Sequence, residues 1–159
     1  MLRKFFSAGA VALTSLHAVA QVEQVEEMPT RFIELFRQGD LPALIALFAP
    51  DASYIPTVGK SRFDGIEGIR GYFGNVFKNS RSRNITFTNE RWQKYGDIVV
   101  RSADTVISQD LLDGQSRDTP SRVSFVYQKG ADGWRIVHHH GSIPSAPFPA
   151  SAAPTQPSR

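Results

Sequence analysis

Cysteine is missing from all 159 residues, which excludes disulfides and thiolate metal sites and leaves burial as the source of stability. Also missing are a G-x-S-x-G elbow, a P-loop and a G-x-G-x-x-G turn after a strand. Covalent serine catalysis, phosphate cradling and dinucleotide binding therefore have no signature here. A charge excess is lacking too. Lys and Arg number 18 against 15 Asp and Glu, but Arg3 and Lys4 belong to an N-terminal segment; without them 16 face 15 and the net charge is +1. The basic cluster of Lys78, Arg81 and Arg83 in "KNSRSRN" falls in a polar connection and reads as a solvated loop. Nucleic acid is not an expected partner.

The apolar run from Phe5 to Leu16 follows Arg3-Lys4 and precedes Ala18-Val19-Ala20. It is shorter than the ~20 residues of a spanning helix and fits a cleaved secretory signal. Residues 1–20 are thus expected to be a signal peptide, and the mature protein to be periplasmic or secreted, with no membrane attachment after cleavage. From residue 144 the sequence is dominated by Pro, Ala and Ser, a composition that buries too little surface to order itself, so 144–159 is expected to be a disordered tail. Between them, 21–143 is expected to form one domain with a single core.

Apolar residues at Val22, Val25, Met28, Phe32, Leu35 and Phe36 recur every three or four positions, as on one helical stripe. Pro29 kinks this helix or marks its start, and Gly39 ends it. Asp40 is placed to cap a second helix carrying Leu41, Leu44, Ile45, Leu47 and Phe48. A short extended piece is expected over Ser53 to Thr57, and a third helix over Glu67 to Phe77. The glycines of that helix, Gly68, Gly71 and Gly74, suggest close approach of a neighbouring backbone. The period then changes to two, giving strands near Ile85 to Tyr95, Ile98 to Ile107 and Arg122 to Lys129, and a fourth bearing His138, His139 and His140. Helices first and meandering strands after them predict an α+β domain with helices covering one face of an antiparallel sheet.

Asp132-Gly133 is a two-residue hairpin signal. A turn there sets Tyr127 opposite His138, Val126 opposite His139 and Phe125 opposite His140. Strict alternation then puts His138 and His140 with Phe125, Tyr127, Trp134 and Ile136, and His139 with Ser124, Val126 and Val137. A triplet split in this way cannot converge on one ion, and neither a metal nor another cofactor is expected. Among ionisable groups, Asp104 lies on an otherwise mostly apolar stripe with Ile98, Val100, Ser102 and Val106; it is a candidate proton-transfer group if buried and a surface carboxylate if not.

The blocks "QGDLPALIALFAPDASYIPT", "FDGIEGIRGYFGNVF" and "GADGWRIVHHHGSIP" together resemble the nuclear transport factor 2-like superfamily, also called SnoaL-like. Within it they most resemble bacterial relatives of the calcium/calmodulin-dependent protein kinase II association domain, including the SgcJ/EcaC family. The resemblance implies a cystatin-like cone, in which a strongly curved antiparallel sheet wraps a long N-terminal helix around a pocket. It also implies association of subunits through the sheet. On that basis Tyr54, Tyr72, Asp104, Ser124 and His139 are expected at the ligand pocket, and Phe125, Tyr127, Trp134, Ile136, His138 and His140 at a dimer face. From burial alone the aromatic face would instead be the core. Arginines that hold carboxylates in kinase hub domains are not matched, since Gly141, Ser124 and Val106 stand at those places. These 159 residues hold no kinase domain, so kinase assembly is not among the expectations.

Two functions follow from the resemblance. One is a homodimer or larger ring of this chain with a pocket for a small organic molecule. The other is an enzyme of the isomerase, dehydratase or hydrolase kind, using His139 or Asp104 for proton transfer and Tyr54, Tyr72 or Tyr127 as hydrogen-bond donors.

Overall fold

A computed structural model describes residues 24–144; the expected signal peptide and all of the expected tail beyond Pro144 lie outside the described residues. A 3-10 turn at Val25–Glu27 leads into α1, Met28–Gln38, whose Met28, Phe32, Leu35 and Phe36 are buried as their spacing predicts. Pro29 sits in the first turn, where no intrahelical donor is lost. The N–H of Gly39 closes the far end on the carbonyls of Leu35 and Phe36. Asp40 then caps α2, its Oδ1 accepting from the Ala43 N–H at 3.0 Å. That second helix is only Leu41–Ile45, and Phe48, expected within it, begins strand β1, Phe48–Ile55. Leu44, Ile45, Leu47 and Phe48 are all buried, and a continuous buried run cannot by period alone be divided between helix and strand.

Helix α3 spans Gly65–Asn79 and buries Ile69 and Phe73. Its glycines do not mark a backbone crossing. A methyl group on Gly68 or Gly74 would meet Phe63 or the Leu41 side chain at 3.6 Å, and one on Gly71 would meet nothing within 4 Å. The remaining strands are β2 Phe63–Asp64, β3 Ser80–Tyr95, β4 Ile98–Leu111, β5 Ser116–Gly130 and β6 Gly133–Ser142. They form one curved, unclosed sheet in the order β2-β1-β6-β5-β4-β3. Every neighbouring pair is antiparallel except β1 and β6, which run parallel. The architecture is thus the expected α+β arrangement of a helix held in a curved sheet, with one parallel pair that periodicity does not reveal.

Cross-strand register lines up Trp92, Arg101, Phe125, His139 and Tyr54 as one row across β3, β4, β5, β6 and β1. Helix α1 packs onto this row through Phe32, whose ring meets Phe125 edge-on at 5.5 Å and Phe73 of α3 at 6.0 Å. Arg101 is the unusual member, being completely buried. Its Nε donates to Glu90 Oε2 at 2.9 Å, and its guanidinium lies 4.0 Å over the Phe87 ring and 5.5 Å over that of Trp92. A bulge between Thr88 and Arg91 turns Glu90 toward it, with Asn89 at φ 51. Nη1 and Nη2 of Arg101 have no protein partner, so the charge is balanced by one carboxylate and by aromatic faces.

Removing Glu90, itself exposed, strands the buried Arg101 charge, whereas replacing that buried cation by an apolar side chain leaves only an exposed carboxylate behind. Glu90→Ala is therefore expected to destabilise the protein by about 3 kcal/mol and Arg101→Met by less than about 1 kcal/mol. Urea denaturation of both variants tests this, and the reverse order would show that the pair does not govern the site.

Candidate functional site

The histidine strand reaches its final arrangement by a different register from the one the Asp132-Gly133 pair predicts. The turn residues are Ala131 and Asp132, Gly130 faces Gly133, and Gly133 carries φ 87. The turn residues keep negative φ, so the glycine serves as the left-handed residue after the turn, the G1-bulge position, rather than within it. Lys129 consequently faces Trp134 and Tyr127 faces Ile136. A second irregularity follows: Val126 faces His138, leaving Val137 without a partner, and Phe125 and Ser124 then face His139 and His140.

This extra residue shifts the alternation by one. Trp134 and Ile136 point inward before it and His139 and Gly141 after it, so all four are buried, while His138 and His140 lie on the outer face. The expected dimer face is corrected accordingly. Phe125, Tyr127, Trp134 and Ile136 are between 0% and 8% exposed in the core, because the bulge puts them on the side that α1 covers. Burial alone predicted this better than strict alternation combined with the resemblance. Only His138 and His140 of that group remain outside, His138 with its Nδ1 2.7 Å from Ser53 Oγ. Burial lowers the His138 pKa.

Between α1, α3 and the inner sheet face lies a cavity of about 50 Å³, opening outward so that its empty space, with the solvent of the mouth, is about 590 Å³. Tyr54, Tyr72 and His139 line it. Asp104 and Ser124 do not: they lie on the opposite face with His140 and Arg122, along a shallow groove. Asp104 is exposed there and accepts from Asn89 Nδ2 at 2.7 Å. Sequence reasoning missed much of the wall, namely Phe32 and Phe73 from the helices and Phe87, Thr105 and Phe125 from the strands. The signal for the strand residues was available in the alternation of β4 and β5, once the core side is known.

His139 is held on three sides. Its ring stacks on Tyr54 at 4.3 Å with an interplanar angle of 11°, and meets Phe125 edge-on at 4.6 Å. Its Nδ1–H donates to the carbonyl of Ile55 at 3.2 Å, which fixes the tautomer and leaves Nε2 as an acceptor. Burial pushes the His139 pKa down to about 3, against the opposing pull of the Ile55 carbonyl. Burial likewise raises Tyr54 well above the ordinary phenol value, and Tyr72 more moderately, with Arg117 opposing the shift at Tyr72. The site therefore offers neutral hydrogen-bonding groups among aromatic rings. Among the described residues no group of three His, Cys, Asp or Glu could hold a metal ion, and no helix is long and apolar enough to cross a membrane.

Thr57, at the rim of the cavity, packs directly over Gly141. A methyl group there would lie 2.8 Å from the Thr57 nitrogen and 3.0 Å from its Cα, distances that no side-chain rotation relieves. Gly141→Ala is expected to cost about 1–3 kcal/mol in urea denaturation; an unchanged midpoint would mean that the loop yields freely.

His139 also makes stability depend on pH. Between about pH 3 and its unfolded pKa near 6.5 the unfolded chain binds a proton that the folded one does not, so its contribution is fully present above that range and is lost as pH falls through it. The slope approaches about 1.4 kcal/mol per pH unit for one proton. His139→Gln should flatten the curve relative to wild type, and heteronuclear NMR should show an Nδ1-protonated neutral ring throughout pH 5–8. A His139 ring titrating near pH 6.5 would contradict this account.

Comparison with known proteins places the geometry in context. Residues 25–146 match the family model described as a SnoaL-like domain. A nuclear transport factor 2 (NTF2-like) superfamily protein from Salmonella enterica serovar Typhimurium is 26% identical, over 79% of this chain and 92% of that one, with a TM-score of 0.71. A Xanthomonas campestris protein provisionally named a calcium/calmodulin dependent protein kinase II association domain is 22% identical, over 80% and 87%, with a TM-score of 0.69. A Novosphingobium aromaticivorans protein provisionally named an aromatic ring hydroxylase is also 22% identical, over 77% and 87%, with a TM-score of 0.71. At these identities the likeness concerns the fold. No curated protein matches the chain.

Proposed function

The chain belongs to the SnoaL-like domain family, and on that premise we propose that it is an exported, self-associating module whose inner cavity binds a small organic molecule. The observation that carries this reading is the wall of that cavity. It combines several aromatic rings with a His139 whose tautomer is fixed, features that orient a ligand rather than fill a core. Self-association is supported by the outer sheet face, which no helix of the described residues covers and where Val106 is 37% exposed. Similarity to a protein named as an association domain points the same way. Export rests on the N-terminal sequence alone.

The enzyme reading has less support. An isomerase, dehydratase or hydrolase using these groups needs a proton-transfer residue poised near the working pH. His139, with a pKa of about 3, is almost entirely the neutral imidazole at neutral pH and too weak a base to take up a second proton readily, and Asp104 stands on the other side of the sheet from the cavity.

Native mass spectrometry of the protein recovered outside the cytoplasm tests the proposal. The expected species is a dimer or larger ring of chains beginning at Gln21, carrying a small molecule that is lost on denaturation. A monomer that retains residues 1–20 and carries nothing would refute each part in turn.

A further inference from the structure

Resting on the reading of the cavity as a ligand pocket, we infer that its ligand is an uncharged, hydroxyl-bearing aromatic ring whose hydroxyl donates to Nε2 of His139. Charge on the wall is the first reason. Among the described residues no Asp, Glu, Lys or Arg lines the cavity, and Arg117 acts on Tyr72 from outside that lining, so a carboxylate or an ammonium would surrender its hydration without an ion pair inside the cavity. Arg101, the buried cation of the same row, is already engaged by Glu90 and lies behind the rings of Phe87 and Phe125.

Hydrogen-bond polarity is the second reason. Nδ1–H of His139 is committed to the Ile55 carbonyl, so its Nε2 can accept but cannot donate. A carboxylate, itself only an acceptor, would face a lone pair there; a hydroxyl matches it. Thr105 is another polar residue of the wall. It is 4% exposed, and its Oγ1 has no partner. A buried hydroxyl without a partner is a net cost to the unliganded fold, and a second polar atom or a bridging water in the bound state would remove it.

Shape and size are the third. Phe32, Phe73 and Phe125 meet edge-to-face, Tyr54 and Tyr72 tilt against one another at 5.1 Å, and such walls favour a flat ring set at an angle to its neighbours. The enclosed space of about 50 Å³ is smaller than the roughly 150 Å³ of a dry cavity that holds benzene, so a single ring would seat partly in the mouth, which the exposed Val58 lines, and a fused polycycle fits less well still.

The test is titration of the purified protein with phenol, benzoate, benzylammonium and toluene, followed by amide NMR shifts of cavity residues. Phenol is expected to bind most tightly and the two ions at least roughly tenfold more weakly, as one lost hydrogen bond and an unpaired charge require. His139→Phe should weaken phenol about three- to tenfold while leaving toluene unchanged. Thr105→Val provides a second variant that keeps the wall's shape. It should raise the thermal midpoint of the unliganded protein and weaken a hydroxylic ligand relative to toluene. Benzoate binding as tightly as phenol, or phenol binding unaltered in both variants, would overturn the ligand class while leaving the pocket in place. If none of the four compounds shifts a cavity residue, the ligand-pocket reading fails, and this inference with it.

Discussion

Val137 has no opposite number on β5, and the strand accommodates it by turning Ile136 and His139 to the same side of the sheet. Because of that one residue, the apolar group of Trp134, Ile136, Phe125 and Tyr127 joins His139 under α1. Without it, strict alternation would expose either the histidine or the apolar residues before it. The stacking of His139 on Tyr54, the edge contact with Phe125 and the Nδ1 bond to Ile55 all depend on this placement. A bulge near the centre of a sheet is thus a positioning device for one imidazole.

Electrostatics along the same inner row are arranged by separation. Arg101 is fully enclosed two strands away from His139, with Phe125 between them in register. Glu90, exposed at its own bulge, neutralises the guanidinium on the far side. The result is a cavity on whose wall the described residues place no Asp, Glu, Lys or Arg, although a complete charge lies just behind the rings. The bulges at Glu90 and Val137 therefore divide the row into a charged end and a neutral end.

Much of the architecture was legible in the sequence. Helical spacing in α1, the change of period after α3 and the order of elements were sufficient for the α+β class, and the three quoted blocks for the family. The short α2 was not legible, because a continuous apolar run fits either period. Nor was the parallel pairing of β1 with β6, which brings together Tyr54 and His139 from opposite ends of the domain. At the site, Tyr54, Tyr72 and His139 were within reach of sequence reasoning, but Asp104 and Ser124 were not separable from them. Which side of β4 and β5 faces the helix is decided by Arg101 and the Val137 bulge, and neither a buried arginine nor an unpaired valine is visible in a pattern of alternating residues. The wall contributed by Phe87 and Thr105 followed from the same undetermined choice.

The parallel pairing has a kinetic consequence. Strand β6, the last regular element among the described residues, inserts between β1 and β5, so the sheet is incomplete until the final hairpin has been added. An N-terminal fragment ending before Gly133 would leave β1 and β5 with unpaired edges and Phe125 without its imidazole neighbour. Contacts so distant along the chain carry a high loop-closure entropy and slow the search for the native topology. A ribosome-bound chain should therefore stay unlocked until β6 has emerged.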